Sequence, residues 1–250
     1  MRHVRRRCLG VSAGVGSEQL ISRHLADLAF FGDGKSAEFR NIGRRASELT
    51  SAQLDHVRSA RDRLRDLPIV IDGRARITAE QISTKVAQTK RCMMAKGRRL
   101  GAVFIDHLDF VQASDRYAGN RTQEIGEICL ALKALARAED LCVVLLCQLN
   151  RDVERRGVND RRPSLADLRN SGDIEQVADV VMFLYRPEYY LSRAPEYLNG
   201  EPDAVAALDA ARGKLELILG KVRAGPTPRV NLYCSPSASS ISSAARGVAE

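Results

Sequence analysis

Two polar residues stand at the ends of two apolar runs. Asp106 follows Leu100 to Ile105 (LGAVFI), and Gln148 follows Leu141 to Cys147 (LCVVLLC). Neither run has helical periodicity, and apolar runs of this length bounded by polar segments read as buried parallel strands. A carboxylate at the carboxyl end of such a strand is placed to hold a Mg²⁺ and its waters beside a nucleotide. An amide presented at the same edge by the neighbouring strand makes a constellation that neither residue makes alone. Asp106 also admits a plainer reading, as the cap of the turn that follows, and the run by itself leaves both open.

A second candidate is Ala29 to Ser36 (AFFGDGKS), which fits a loose phosphate-loop expression with Lys35 as the phosphate-binding lysine. A working phosphate loop follows a strand and opens a helix, whereas the residues before Gly32 read as helix. Gly32 and Gly34 are therefore expected to end that helix. A third is the charged stretch Asn150 to Arg162, with Arg151, Arg155, Arg156, Arg161 and Arg162. Such a run is either a solvated surface or a surface for a polyanion. The six cysteines contain no CxxC pair, so reduced thiols are expected rather than a metal site.

The elements needed to hold these residues follow in order. Arg7 to Ser12 reads as a short strand, Glu18 to Phe31 as a helix and Ser47 to Leu67 as an amphipathic helix. Ile69 to Asp72 reads as a second strand. Thr78 and Gln81 have the spacing of a capping box, opening a helix that returns the chain to the Asp106 strand. Arg121 opens another helix with Ile125, Ile128, Cys129, Leu132 and Leu135 on one face. Val180 to Arg186 is a further buried strand, and Pro187 to Arg212 reads as a surface excursion. Leu215, Leu217 and Leu219 alternate with polar residues, and Val230, Leu232 and Cys234 alternate in return, as in a β-hairpin at a sheet edge. Ser235 to Glu250 reads as a disordered tail. The expected fold is α/β, a mostly parallel sheet flanked by helices, with one domain over 1–234 and its core in 68–234.

The totals agree: 250 residues, 44% hydrophobic and 28% charged, suit one globular core, and a net charge of +8 suits a polyanionic partner. With no Trp and few aromatic residues, a base-stacking platform is not expected. No apolar run reaches the roughly 18 residues of a membrane span. The basic start gives way to a short apolar part broken by Ser and Gly, so an export signal is not expected, and the chain is placed in the cytoplasm.

Taken in order, LGAVFIDHLDF, NRTQEIGEICLALKALA, VVLLCQLNR, RRPSLADLRNSGDIEQVADVVMFLYR and LILGKVRAGP resemble the ATPase domain of the DnaB-type replicative DNA helicases. The resemblance covers about Val11 to Cys234 and is strongest after Leu100. It implies a RecA-like core, ATP and Mg²⁺ as cofactors, single-stranded DNA as partner, and assembly into a hexameric ring or with full-length helicase subunits. Position by position, it implies that Asp106 holds Mg²⁺ and Gln148 senses the γ-phosphate. Lys221 and Arg223 match the pair that reaches a neighbouring subunit's nucleotide. The loops Gln112 to Asn120 and Asn150 to Arg169 would face the pore, with Arg121, Arg151, Arg162 and Arg169 tracking phosphates.

The chain departs from the family pattern in places. The family's phosphate loop and N-terminal domain are expected ahead of the first residue here, so the chain reads as N-terminally truncated. Gly14 occupies the position of the glutamate that polarises the attacking water, and His107 and Asp109 replace the usual Tyr and Gln. Hydrolysis by this chain alone is accordingly expected to be impaired. Three functions follow: an ATP-dependent replicative helicase domain, a non-catalytic remnant that binds single-stranded DNA or joins a ring, and another RecA-like ATPase.

Overall fold

The structure is a computed structural model that describes residues 6–12, 16–30, 38–44, 46–74, 76–114, 119–157, 161–168 and 171–243. Gly14, Lys35 and Arg169 lie outside them. Where the sequence suggested a single domain over 1–234, the chain divides into two compact units. The first comprises Met1–Leu20, Asp66–Leu149 and Leu168–Ala178, and the second Ile21–Arg65, Asn150–Asp167 and Asp179–Glu250.

The first unit is built on four parallel strands in the order β2-β1-β4-β6: β1 (Arg6–Ser12), β2 (Ile69–Asp72), β4 (Arg99–Asp106) and β6 (Cys142–Leu145). A separate two-residue ladder pairs β3 (Ile77–Thr78) with β5 (Val111–Gln112). Leu9, Val103 and Ile105 are almost wholly buried on the four-stranded sheet, as are Ile82 and Val86 on α4 (Ala79–Met94) and Ile128 on α5 (Arg121–Glu139). Local signals set the helix starts. The Gln81 N–H donates to Thr78 Oγ1 at 3.2 Å and the Thr78 N–H to Gln81 Oε1 at 3.1 Å, the reciprocal pair that satisfies two otherwise orphaned donors. Asn120 caps α5 through the Gln123 N–H at 3.3 Å. The short α6 (Ser171–Val177) closes this unit.

The second unit contains most of α1 (Ser17–Leu28), then α2 (Phe39–Arg44) and α3 (Ser51–Asp66). Its sheet is antiparallel, in the order β10-β9-β8-β7: β7 (Val180–Tyr185), β8 (Lys214–Val222), β9 (Arg229–Ser235) and β10 (Ser240–Ser243). The expected hairpin is β8 and β9, but neither strand is at an edge: β8 also pairs with β7 and β9 with β10. The disordered tail is corrected in part: Ser240–Ser243 pairs outside β9, Ile241 opposite Cys234, and only 244–250 lie outside the described residues. Pro187 to Arg212, expected as a surface excursion, is largely exposed and contains three helices. Each of its three helices, α7 (Pro187–Leu191), α8 (Pro195–Leu198) and α9 (Pro202–Ala211), starts on a proline whose missing N–H needs no partner there.

Candidate functional site

Parallel pairing puts the strand ends of the first unit at one edge. Val11 is level with Asp72, Ser12 with Asp106, and Ile105 with Leu145. The Leu146 N–H donates to the Ile105 carbonyl at 3.0 Å and the Leu108 N–H to the Leu146 carbonyl at 2.8 Å, which extends the β4–β6 pairing past Asp106. Gln148 lies two residues beyond Leu146. Asp106 and Gln148 therefore leave neighbouring strands at the same carboxyl edge, the arrangement expected from the two apolar runs.

Two carboxylates occupy that edge in opposite states. Asp72 is 8% exposed. It accepts from Arg74 Nε at 3.0 Å and Nη2 at 2.8 Å, and Lys85 Nζ stands 3.5 Å away. The Arg74 hydrogen bond holds its carboxyl below the usual range against the opposing effect of burial. Asp106 is half-buried and makes no hydrogen bond or ion pair among the described residues, and the amide of Gln148 is exposed and equally unpartnered. A carboxylate that the fold leaves uncompensated is available to a cation.

The residues after Asp106 form a small network. The Asp106–His107 peptide is cis. The His107 ring lies 4.6 Å from that of Phe110, and its Nδ1 is 3.5 Å from Asp109 Oδ2. Arg121 Nη2 donates to Asp109 at 3.1 Å and its Nη1 to Glu124 at 3.3 Å. Asp109, Arg121, Glu124, Arg76 and Phe110 line a cleft of about 330 Å³. His107 and Asp109, two of the residues at which the sequence resemblance breaks, thus contact each other.

Lys221 and Arg223 lie at the end of β8 in the second unit. Lys221 is level with Val181 and half-buried. The Arg223 N–H donates to the Asp179 carbonyl at 2.9 Å, and its side chain, 68% exposed, is 3.4 Å from Asp179 Oδ1. Gly220, just before the pair, has the Phe183 ring where a Cβ would be.

The arginines expected to meet nucleic acid differ in their commitments. Arg121 is paired with two acids. Arg162 makes a two-pronged pair with Glu216, Nε at 2.9 Å and Nη2 at 2.8 Å, and its guanidinium lies 5.0 Å from the Tyr185 ring centroid. Arg151 is exposed and makes no ion pair among the described residues. The sequence reading missed Asp167, which is 3% exposed. Its carboxylate accepts from both Arg156 Nη atoms, from the Ser164 N–H at 2.8 Å and from Ser164 Oγ at 3.0 Å. The Ser-x-x-Asp spacing was visible, but the arginine that completes the group is eleven residues away.

All six cysteines are free, and burial on α5 pushes the Cys129 thiol up to about 11. Among the described residues no three His, Cys, Asp or Glu side chains gather as ligands, and no helix is long and apolar enough to cross a membrane. A single carboxylate suits Mg²⁺, which keeps several waters and takes its remaining ligands from phosphates.

The DnaB-like helicase C-terminal domain family matches residues 2–243. The replicative DNA helicase DnaB of Rickettsia bellii is 34% identical over 228 residues, which is 89% of this chain and 43% of that protein. The DnaB of Geobacillus stearothermophilus is 37% identical over 75% of this chain and 37% of its own length. The chain therefore spans less than half the length of these relatives. Among solved structures, one described as an ATPase domain superposes with a TM-score of 0.78 at 28% identity, over 95% of this chain and 74% of that one. A DnaB-like replicative helicase studied with primase gives 0.77 at 27% identity, over 95% of this chain and 50% of that one.

Proposed function

Because this chain belongs to the DnaB-like helicase C-terminal domain family, we propose that it is the nucleotide-dependent motor region of a replicative DNA helicase, working within a hexameric ring on single-stranded DNA. One observation carries the reading: Asp106 and Gln148 leave neighbouring parallel strands at one edge, and the fold gives neither side chain a partner among the described residues. Bound ATP and Mg²⁺ would supply the phosphoryl-transfer chemistry. Asp106 holds the cation through its carboxylate. Gln148 donates an amide N–H toward the terminal phosphate and so distinguishes the states before and after its loss. Lys221 and Arg223 offer cations to the nucleotide of an adjoining subunit, where positive charge stabilises the negative charge of the transition state. Arg151, with Arg169, follows the DNA phosphates with little sequence preference, whereas Arg121 and Arg162 are already engaged by Asp109, Glu124 and Glu216.

The experiment is titration of a fluorescent ATP analogue with Mg²⁺, followed by ATP hydrolysis with and without single-stranded DNA. Binding that weakens at least tenfold in Asp106→Ala is expected. A wild-type chain with no affinity for nucleotide overturns the reading.

Gly14 favours a second reading, in which the chain binds nucleotide and DNA, or joins a ring of full-length subunits, without turnover. The same assay separates the two, since binding without DNA-stimulated hydrolysis selects the second. Salt-insensitive DNA binding counts against both.

A further inference from the structure

The stretch from Asn150 to Asp167 carries five arginines, and one carboxylate ties it together. Asp167 is tied to the beginning, middle and end of the loop. Its carbonyl accepts from the Asn150 N–H at 2.8 Å. Its carboxylate takes the guanidinium of Arg156, and Ser164 donates both its N–H and its hydroxyl. Asn150 in turn caps the 3₁₀ turn Arg151–Arg155 by accepting from the Asp152 N–H at 3.3 Å, and Arg161 Nε donates to the Arg156 carbonyl at 2.8 Å. The arrangement uses Arg156 internally and leaves others facing out. Arg151 has no ion pair among the described residues, and Arg155 is 85% exposed with only Asp152 3.5 Å away.

The geometry points to Asp167 as the positioning residue of this loop: it fixes the backbone so that Arg151 and Arg155 are presented, already ordered, to the phosphates of single-stranded DNA. This rests on the reading that the loop meets DNA. A buried ion pair is weak evidence for a stabilising role alone, because an apolar pair often serves stability as well. Its advantage here is order, since a loop fixed beforehand loses less freedom on binding. Burial pushes the Asp167 carboxyl up, and the donors from Arg156 and Ser164 outweigh it and hold the group ionised.

The test combines two measurements on the full chain: amide hydrogen exchange over 150–168, and fluorescence anisotropy with labelled oligo-dT across a salt series. Asp167→Asn keeps the shape and removes the charge. It is expected to speed exchange in this loop at least tenfold and to weaken oligo-dT binding about tenfold, with the salt slope unchanged because no phosphate contact is removed. Arg151→Gln is expected to reduce that slope by about one unit while exchange stays as in wild type. Asp167→Glu should recover part of both losses. Should Asp167→Asn fail to fold, Arg156→Lys breaks the two-pronged contact while keeping the charge, and the same pattern is expected. Faster exchange with unchanged affinity overturns the positioning role, and unchanged exchange overturns the clamp itself. A wild-type chain that ignores oligo-dT overturns the DNA reading instead, and the exchange measurement still decides whether Asp167 holds the loop.

Discussion

Asp72 and Asp106 end strands of the same parallel sheet at the same edge, yet one is held by Arg74 and Lys85 and the other is held by nothing among the described residues. The contrast separates a structural acid from one available to a ligand. Asp72→Asn leaves two cations beside a weakened acceptor and should cost about 1–3 kcal/mol in urea unfolding. Asp106→Asn should leave the unfolding free energy within about 0.5 kcal/mol of wild type while weakening Mg²⁺-dependent nucleotide binding about tenfold or more. An Asp106 variant as unstable as the Asp72 variant would remove the basis for assigning it to a ligand.

Arg162 and Arg151 should also separate, now by their salt dependence. Arg162 is committed to Glu216 and Tyr185. Its truncation to Ala should cost roughly 1–2 kcal/mol of stability, because it leaves a half-buried carboxylate without its donor. The Glu216 carboxyl is held below its usual range chiefly by that hydrogen bond, so the lost interaction is real. Arg151→Ala should leave stability within about 0.5 kcal/mol and reduce the salt slope of DNA binding by about one. Comparing chemical denaturation with binding at several salt concentrations checks both. The reverse pattern would return Arg162 to the DNA contacts expected from the sequence.

These differences mark what the sequence could show. The shared edge of Asp106 and Gln148 and the β8–β9 hairpin were legible because apolar runs, strand alternation and the Thr78 capping box are local signals, although β6 stops at Leu145, three residues before Gln148. The commitments of Arg121 and Arg162 were not legible, since Asp109 and Glu216 are twelve and fifty-four residues away from them. Nor does an apolar run state which face is covered. Val180 to Arg186 reads as a buried strand, but in β7 Val180, Met182 and Leu184 are 46%, 51% and 59% exposed. Pro187 to Arg212 lacked apolar periodicity because its three helices are only five, four and ten residues long. The signal overlooked there was the proline at the start of each.

Acid should weaken the fold through Asp72, Asp167 and Glu216, whose carboxyls are all held below their ordinary values. Each binds its proton less tightly folded than unfolded, so around 3.8 for Asp and 4.5 for Glu the unfolded chain holds more protons and stability rises with pH. The contribution is complete above the unfolded values and is lost as pH falls through the lower folded ones. Melting temperature should therefore be level from about pH 6 to pH 5 and fall steeply below about pH 4. The fall should be shallower in Asp167→Asn. A wild-type melting temperature that holds to pH 3 would contradict these shifts.

Gly220 tests whether the strand carrying Lys221 is fixed by packing. A Cβ at this position meets the Phe183 ring and lies 3.4 Å from Leu165 Cδ2. Phe183 is only 4% exposed, so its ring has little room to move. Gly220→Ala must therefore displace the ring or bend β8 just before Lys221 and Arg223, a strain of about 1–3 kcal/mol. Phe183→Leu removes the ring that causes the clash. The double variant should then be less destabilised than the sum of the two single changes, a coupling of about 1 kcal/mol in a double-mutant cycle. Strict additivity would mean that β8 yields freely at Gly220, and that the placement of Lys221 does not depend on this contact.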